Sequence, residues 1–216
     1  MTESATARRL RITPERLAEL YESVLDLLRE VGYHALTMDA VAARTRCSKA
    51  TLYRQWGGKA ELVAQAVRHD TPSSAQAGET DTGSLKGDLY ALTLCRDDAR
   101  IERNSALMRG LTMAIHTEPD LRDAFREYLI DPAKEDLRAA LRRAVARGEI
   151  HADNPAVDFI MHMMIGAFVS RLSVEEEAPT QAFLVSYIDA VVLPALAART
   201  PALPVVGTAV PGHPRG

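Results

Sequence analysis

Residues 44–55, which read RTRCSKATLYRQ, contain four cationic side chains and no carboxylate. Arginine and lysine can neutralise phosphates or donate to guanine, glutamine can pair with an adenine edge, and threonine and tyrosine hydroxyls can reach a phosphate. A cation-rich segment without acids is typical of a surface that meets nucleic acid. A solvated helix face is the plain alternative, and the helices around the segment help to decide between the two.

The segment lies among short helical patterns with clear start signals. The residues that begin the first four helices are Thr13 with Pro14, Thr37, Ser48 and, after Gly57 and Gly58, Lys59. In the third helix, KATLYRQW, Leu52 and Trp56 are four residues apart and point inward. The polar side chains then share the outer face. Two short helices joined by a tight turn form a helix-turn-helix, whose second helix can enter a major groove.

Residues 37–63, TMDAVAARTRCSKATLYRQWGGKAELV, closely resemble the N-terminal DNA-binding domain of the TetR family of transcriptional regulators. The most specific part is Ser-Lys-x-Thr-Leu-Tyr at 48–53, followed by an aromatic residue at 56 and a lysine at 59. The detailed resemblance covers residues 13–68, and the whole chain is similar in length and layout. It implies a three-helix helix-turn-helix DNA-binding domain plus a larger helical ligand-binding and dimerisation domain.

The predicted DNA-binding residues are Thr37, Arg46, Ser48, Lys49, Ala50, Thr51, Tyr53, Arg54, Gln55 and Lys59. The resemblance implies that Thr37, Lys49, Thr51, Tyr53 and Lys59 hold the DNA backbone. It places Lys49, Ala50, Arg54 and Gln55 nearest the base edges.

Two positions in the turn depart from the family pattern. Arg46 stands where the family usually has glycine, and Cys47 stands where it usually has an aliphatic residue. A non-glycine residue in such a turn is expected to take a positive φ, at a cost on the order of 1 kcal/mol. Contact with a phosphate could offset the cost for Arg46. Cys47 is interpreted as a small core side chain, and a redox-sensing thiol is the alternative.

Composition sets the class of protein. Alanine, leucine and arginine recur while only 5% of the 216 residues are aromatic, which favours an all-α fold. The net charge of -3 divides into +2 for residues 1–70 and -5 for the rest, so a nonspecific architectural DNA-binding protein, which needs far more positive charge, is disfavoured. Two cysteines are too few for the disulfides of a secreted scaffold. The sequence also shows no signal peptide and no run of about 20 apolar residues that could span a membrane. We therefore expect a cytoplasmic protein with no membrane partner.

The predicted division of the chain is a flexible basic arm (1–12), a helix-turn-helix domain (13–70), a linker (71–84), a ligand-binding and dimerisation domain (85–198) and a disordered tail (199–216). The linker contains no large apolar side chain. In the arm, RRLR at 8–11 either reaches into a minor groove or is a solubilising end.

The C-terminal helices suggest a dimer and a ligand pocket. Dimer-interface candidates are Phe168, Val169, Leu172, Phe183, Tyr187, Ile188 and Val191; the alternative is that these helices form the domain's own core. Pocket candidates are Leu107, Met108, Leu111, Phe125, Tyr128, Met161, His162 and Met164, where a default core role is the alternative. Residues 156–173, AVDFIMHMMIGAFVSRLS, are apolar on more than one side and are predicted to be buried.

The sequence therefore predicts a dimeric, ligand-responsive DNA-binding regulator, a repressor that a largely apolar small molecule releases from a palindromic operator. A small-molecule-processing enzyme built on the helical domain is the alternative. The six histidines show no metal-ligand spacing, and no nucleophile motif or phosphate loop is present, so no catalytic residue, metal or cofactor is predicted.

Overall fold

The computed structural model describes residues 12–71, 81–94 and 97–198. Within these ranges the chain is helical without a β-strand, which confirms the all-α prediction. Nearly all of the predicted arm, most of the predicted linker and the predicted tail lie outside the described residues. The helices are α1 (Pro14–Ala35), α2 (Met38–Thr45), α3 (Lys49–Trp56), α4 (Lys59–Asp70), α5 (Leu85–Thr93), α6 (Asp98–Thr117), α7 (Pro119–Phe125), α8 (Asp131–Ala146), α9 (Ala156–Ser173), α10 (Gln181–Tyr187) and α11 (Leu193–Ala197).

Side-chain caps begin the first three helices, as the sequence predicts. The hydroxyl oxygens of Thr13, Thr37 and Ser48 accept from the backbone N–H three residues later at 3.3, 3.1 and 3.1 Å. Gly32 interrupts α1 with a φ of 73°, a conformation that favours glycine, so the regular helix ends there and a short turn continues to Ala35.

The first hydrophobic core joins α1–α4 to α6 and α7. Val24 of α1, Leu52 of α3 and Leu62 of α4 are fully buried in it, and Leu111 of α6 and Leu121 of α7 belong to the same cluster. The helix-turn-helix region therefore shares its core with the helices that follow it.

A second core lies among α5, α8, α9 and the C-terminal helices. It includes Leu89, Leu141, Ile160, Ile188 and Leu196. Both cores are built largely from aliphatic side chains, which suit helix–helix packing at short interaxial distances.

Buried Asn154 lies two residues before the start of α9. Its Oδ1 accepts from the backbone N–H of Ala156 at 2.8 Å, and its Nδ2 donates to three carbonyl oxygens at the end of α11. One side chain therefore satisfies orphan backbone groups at a helix start and at a helix end.

The prediction that residues 156–173 are buried is wrong within the chain. In α9 only Ile160 and Leu172 are buried, while Phe159 is 58% and Ile165 is 37% exposed. Apolar residues surround this helix, but neighbouring helices cover one side of it. With 18 residues and a mean hydropathy of 1.3, α9 also has the length and composition of a candidate membrane span, contrary to expectation; one such helix is weak evidence for a membrane protein.

Two π-helical turns each precede a proline. Arg126–Ile130 connects α7 to α8, in which Pro132 is near the start, and Ile188–Val192 connects α10 to α11, in which Pro194 is near the start. A proline inside a helix has no N–H to donate and its ring crowds the carbonyl four residues before it. Wider turns accommodate that crowding while the chain stays helical.

A buried polar cluster joins α1, α4 and α6. The Asp70 carboxylate at the end of α4 accepts from Arg100 Nε at 2.9 Å and from Asn104 Nδ2 at 2.8 Å. Asn104 Oδ1 accepts from Nε and Nη2 of Arg29 at 3.1 and 2.9 Å. One amide of α6 therefore bonds to α1 and α4 together, and the hydrogen bond to Asp70 raises the pKa of Arg100.

A second buried carboxylate, that of Asp88, joins α5 to α8. It accepts from the backbone N–H and the hydroxyl of Thr82 at 2.8 and 2.7 Å, and it pairs with Arg143 and Arg147 at 3.2 and 3.4 Å. Burial acts to raise the pKa of Asp88, but these bonds outweigh it and hold the pKa below the ordinary 3.8.

We expect Asn104→Ala to lower the free energy of unfolding by about 2 to 3 kcal/mol, because Asp70 and Arg29 then lose a partner in a buried site. Urea unfolding followed by circular dichroism measures the change. Glu102→Ala, an exposed position on the same helix, is the control and should stay within about 0.5 kcal/mol of wild type. Equal losses for the two variants would contradict the role given to the Asn104 amide.

Candidate nucleic-acid interface

The turn between α2 and α3 adopts the backbone that the sequence predicts. Arg46 has φ 52° and ψ 37°, in the left-handed region. The N–H groups of Arg46 and Cys47 donate to the carbonyls of Ala43 and Ala42 at 3.4 and 3.1 Å, which ends α2. Arg16 of α1 donates to the Thr45 carbonyl in the same turn. Cys47 packs partly buried against the first core, in agreement with a small core side chain.

The inner face of α3 is fixed by two residues. Leu52 is fully buried, and Trp56 is 4% exposed with its indole Nε1–H donating to the Tyr21 hydroxyl at 3.1 Å. The ring of Trp56 meets that of Tyr21 edge to face at 6.0 Å. These contacts determine which side chains of α3 face the solvent.

The outer face of α3 is polar and cationic. Exposed side chains on or beside it are those of Arg46, Ser48, Lys49, Ala50, Tyr53, Arg54 and Gln55, while Thr51 is half-buried. Tyr53 is 45% exposed although it is a large aromatic residue. The Ser48 and Thr51 hydroxyls lie 2.8 Å apart and bond to each other. Eight of the ten predicted residues therefore lie together around one short helix, and their role in binding DNA stays a prediction.

Lys49 forms an ion pair that the sequence did not predict. Its Nζ donates to the Asp39 carboxylate of α2 at 3.0 Å, and this bond raises the pKa of Lys49. Both side chains are exposed, so the pair orients Lys49 without stabilising the fold much. A phosphate bound by Lys49 would have to share it with Asp39 or displace Asp39. Pairing across two helices is not visible in the spacing of the sequence.

The two remaining predicted residues, Thr37 and Lys59, have structural contacts. Thr37 is exposed and caps α2. Lys59 Nζ donates to the Tyr33 carbonyl at 3.1 Å and lies 4.2 Å from the centre of the Tyr33 ring, so it ties the start of α4 to the end of α1. Burial and nearby carboxylates raise the pKa of Tyr33 to about 12, so its ring stays neutral beneath the cation.

The predicted ligand-pocket residues divide between the two cores. The residues associated with the first core are Leu107, Met108, Leu111, Phe125 and Tyr128; those packed against the second are Met161 and Met164, while His162 is exposed. Although α6 and α9 contact each other, the structure does not gather the eight residues into one buried cluster. Their role in ligand binding stays a prediction.

The predicted dimer interface needs one correction. Leu172 and Ile188 are fully buried inside their own chain, so they cannot contact a second one. Val191 is 40% exposed, and Phe168, Val169, Phe183 and Tyr187 are half-buried. Phe159 and Ile165 of α9, which the sequence pattern does not single out, are also exposed. Buried and exposed positions alternate too closely on an all-apolar helix for periodicity to separate them.

Family models match most of the chain. Residues 21–66 match "Bacterial regulatory proteins, tetR family", and residues 79–191 match "Tetracyclin repressor-like, C-terminal domain". Between the two matches only residues 67–78 are left unmatched.

Named relatives and solved structures agree with these matches. An uncharacterized HTH-type transcriptional regulator of Mycobacterium tuberculosis is 34% identical, with 86% of this chain and 90% of the relative covered. The DNA-binding transcriptional repressor TetR of Mycobacteroides abscessus is 38% identical over 64% of this chain and 72% of the relative. The crystal structure of the TetR family transcription regulator SCO0332 is 26% identical with a TM-score of 0.59, covering 84% of this chain and 98% of that one. A Rhodococcus sp. structure of 20% identity shares the fold, with a TM-score of 0.63, covering 82% of this chain and 98% of that one.

We expect Arg46→Gly to raise the free energy of unfolding by about 0.5 to 1 kcal/mol, because glycine adopts a positive φ without the Cβ clash. Thermal and urea unfolding measure the change. The matched control is Arg54→Gly, which places glycine inside α3 and should lower stability by about 1 kcal/mol. A loss of stability in both variants would contradict strain at Arg46.

Proposed function

Because the chain belongs to the TetR family, it is a DNA-binding transcriptional regulator, and we propose that it is a dimeric repressor that leaves a palindromic operator when a small molecule binds. The observation that carries the proposal is the exposed outer face of α3, where cationic and hydrogen-bonding side chains are held outward by Leu52 and Trp56.

In the proposal, α3 is the recognition helix. Arg54 and Gln55 reach base edges, where arginine suits guanine and glutamine suits adenine, and exposed Ala50 lets the backbone approach closely. Lys49, Thr51 and Tyr53 contact phosphates or nearby bases. Thr37 and Lys59 begin α2 and α4, where backbone N–H groups attract phosphate. Arg46 adds a cation at the turn.

The proposed dimer forms through the exposed apolar surface of α9 and the C-terminal helices. Ile165 of α9 and Val191 of the second π-helical turn are large apolar residues left exposed in the single chain. Two copies of this surface would form an isologous four-helix interface. A dimer would also present two recognition helices to half-sites about 34 Å apart, which one α3 cannot read alone.

The proposed effector response uses the contact between the DNA-binding helices and α6. A ligand near α6 and α9 would act on the cluster of Asp70 and Asn104, which bonds α6 to both α1 and α4. Repression is favoured because the Mycobacteroides abscessus relative is named a repressor. A regulator of this kind works where the bacterial DNA is, so we place it in the cytoplasm.

Selection from random DNA should recover a pseudo-palindromic site. On that site, Lys49→Ala should weaken binding about tenfold and reduce the salt slope of log Kd by about 0.9. Arg46→Gly should reduce the salt slope by a similar amount, because it removes the proposed contact of Arg46 with a phosphate. Asp39→Asn should strengthen binding, because it removes the acid that competes with phosphate for Lys49. Fluorescence anisotropy at several salt concentrations measures each affinity.

Lys134→Ala is the control for these measurements, since Lys134 pairs with Asp131 within α8. Its affinity and salt slope should equal those of wild type. Failure to recover any site that resists nonspecific competitor DNA would overturn the proposed function.

Ile165→Arg should yield a monomer, because a buried unpaired cation in the centre of the interface has a high desolvation cost. Sedimentation velocity should show half the wild-type mass, and operator affinity should fall at least about tenfold. Met113→Arg is the control, since Met113 is 66% exposed on α6 and should leave the dimer intact. A dimeric Ile165→Arg variant would place the interface elsewhere.

A further inference from the structure

A solvent-open cleft lies between the DNA-binding helices and the π-helical turn that connects α7 to α8. Its volume is about 490 Å³, and it is lined by Tyr21 of α1, Gln65, Arg68 and His69 of α4, Thr71 and Tyr128. This volume is within the range of small-molecule sites. None of the residues predicted to form the ligand pocket lines this cleft except Tyr128.

The lining is rich in hydrogen-bond donors and aromatic rings. The six residues that line the cleft include no aspartate or glutamate. The rings of Tyr21 and His69 lie 5.1 Å apart, and Tyr128 supplies a third ring. The Arg68 guanidinium has five N–H donors, of which the bond to the Tyr128 carbonyl at 2.7 Å uses one. Such a site suits a flat organic anion.

A chain of hydrogen bonds fixes the direction of the Gln65 amide. The Trp56 indole can only donate, so the Tyr21 oxygen accepts from it at 3.1 Å and the Tyr21 hydroxyl donates to Gln65 Oε1 at 3.2 Å. The amide NH₂ of Gln65 then remains as the group that can donate to a ligand. Burial raises the pKa of Tyr21, so the phenol stays protonated and the chain keeps its direction.

The hydrogen bonds from Trp56 to Tyr21 and from Tyr21 to Gln65 also connect the cleft to the recognition helix. Trp56 is the last residue of α3 and is 4% exposed, and its indole bonds directly to a residue that lines the cleft. On the opposite side, the bond from Arg68 to Tyr128 joins α4 to the turn after α7. A ligand in the cleft would therefore contact Tyr21, which bonds to α3, and Tyr128 of the turn after α7 at the same time.

We propose that this cleft is a second effector site, distinct from the pocket proposed above, and that it binds aromatic carboxylates. The carboxylate pairs with Arg68 and the Gln65 amide, and the ring lies against Tyr21, His69 and Tyr128. A ligand bound in the cleft changes the Tyr21–Trp56 contact and thereby the orientation of α3. The binding itself does not depend on the proposed function, whereas the effect on DNA rests on it.

Isothermal titration calorimetry with benzoate tests the site directly. Benzoate should bind saturably with one site per chain, and benzamide, its neutral analogue, should bind at least about tenfold more weakly because it lacks the charge that pairs with Arg68. Trp56 is the only tryptophan of the sequence, so its fluorescence should change along the same binding curve. No saturable benzoate binding, or equal binding of benzamide, would overturn the proposal.

Two variants locate the site. Gln65→Glu keeps an acceptor for the Tyr21 hydroxyl but places a carboxylate in the cleft, so it should abolish benzoate binding. Arg68→Gln should weaken it at least about tenfold. Arg122→Gln, an exposed arginine of α7 outside the cleft, should bind as wild type does, and circular dichroism confirms that each variant is folded. Unchanged binding in folded Gln65→Glu and Arg68→Gln would place benzoate in another cavity and reject the site.

The DNA effect is measured separately. With the selected operator, saturating benzoate should change the affinity of the wild-type protein at least about threefold, corresponding to a modest allosteric coupling, and leave that of Arg68→Gln unchanged. Equal responses of the two proteins would reject the coupling through this cleft. If no operator exists, the proposed function fails while the calorimetric result still decides the site.

Discussion

The anchoring of α3 through Leu52 and Trp56 is the constraint on which the rest of the interface depends. An isolated helix of eight residues is not stable in water, because nucleation costs more than so few backbone hydrogen bonds return. The helix exists because its inner face is buried against α1 and α4. The bond from the Trp56 indole to Tyr21 then removes rotation about the helix axis, which is what gives each outer side chain a defined direction.

This anchoring explains why the first core extends beyond the first four helices. Helices α2 and α3 are too short to build a core of their own, and α1 and α4 need cover on their other side, which Leu111 and Leu121 provide. The buried cluster of Asp70, Asn104 and Arg29 lies at the same boundary. Polar groups there must keep their partners when the helices move, so the boundary favours a small number of discrete arrangements over gradual sliding.

The sequence predicts what local chemistry decides and misses what assembly decides. Helix starts at Thr13, Thr37 and Ser48 and the positive φ of Arg46 follow from single residues and are confirmed. The exposure of α9 could not be predicted, because the sequence of an apolar helix is the same whether residues of its own chain or of another chain bury it. The Lys49–Asp39 pair and the separation of Leu111 from Met164 depend on how helices meet, which periodicity does not record.

The proline at the start of α8 has a consequence beyond the shape of that helix. Pro132 cannot donate to the carbonyl of Tyr128, four residues before it, and this is the carbonyl that accepts from Arg68 of α4. The carbonyl that lacks its partner within one helix thus accepts a hydrogen bond from another helix. The irregularity leaves one backbone carbonyl of a continuous helical segment free to accept a hydrogen bond from a neighbouring helix. This acceptor lies at the point where the DNA-binding helices meet the rest of the chain.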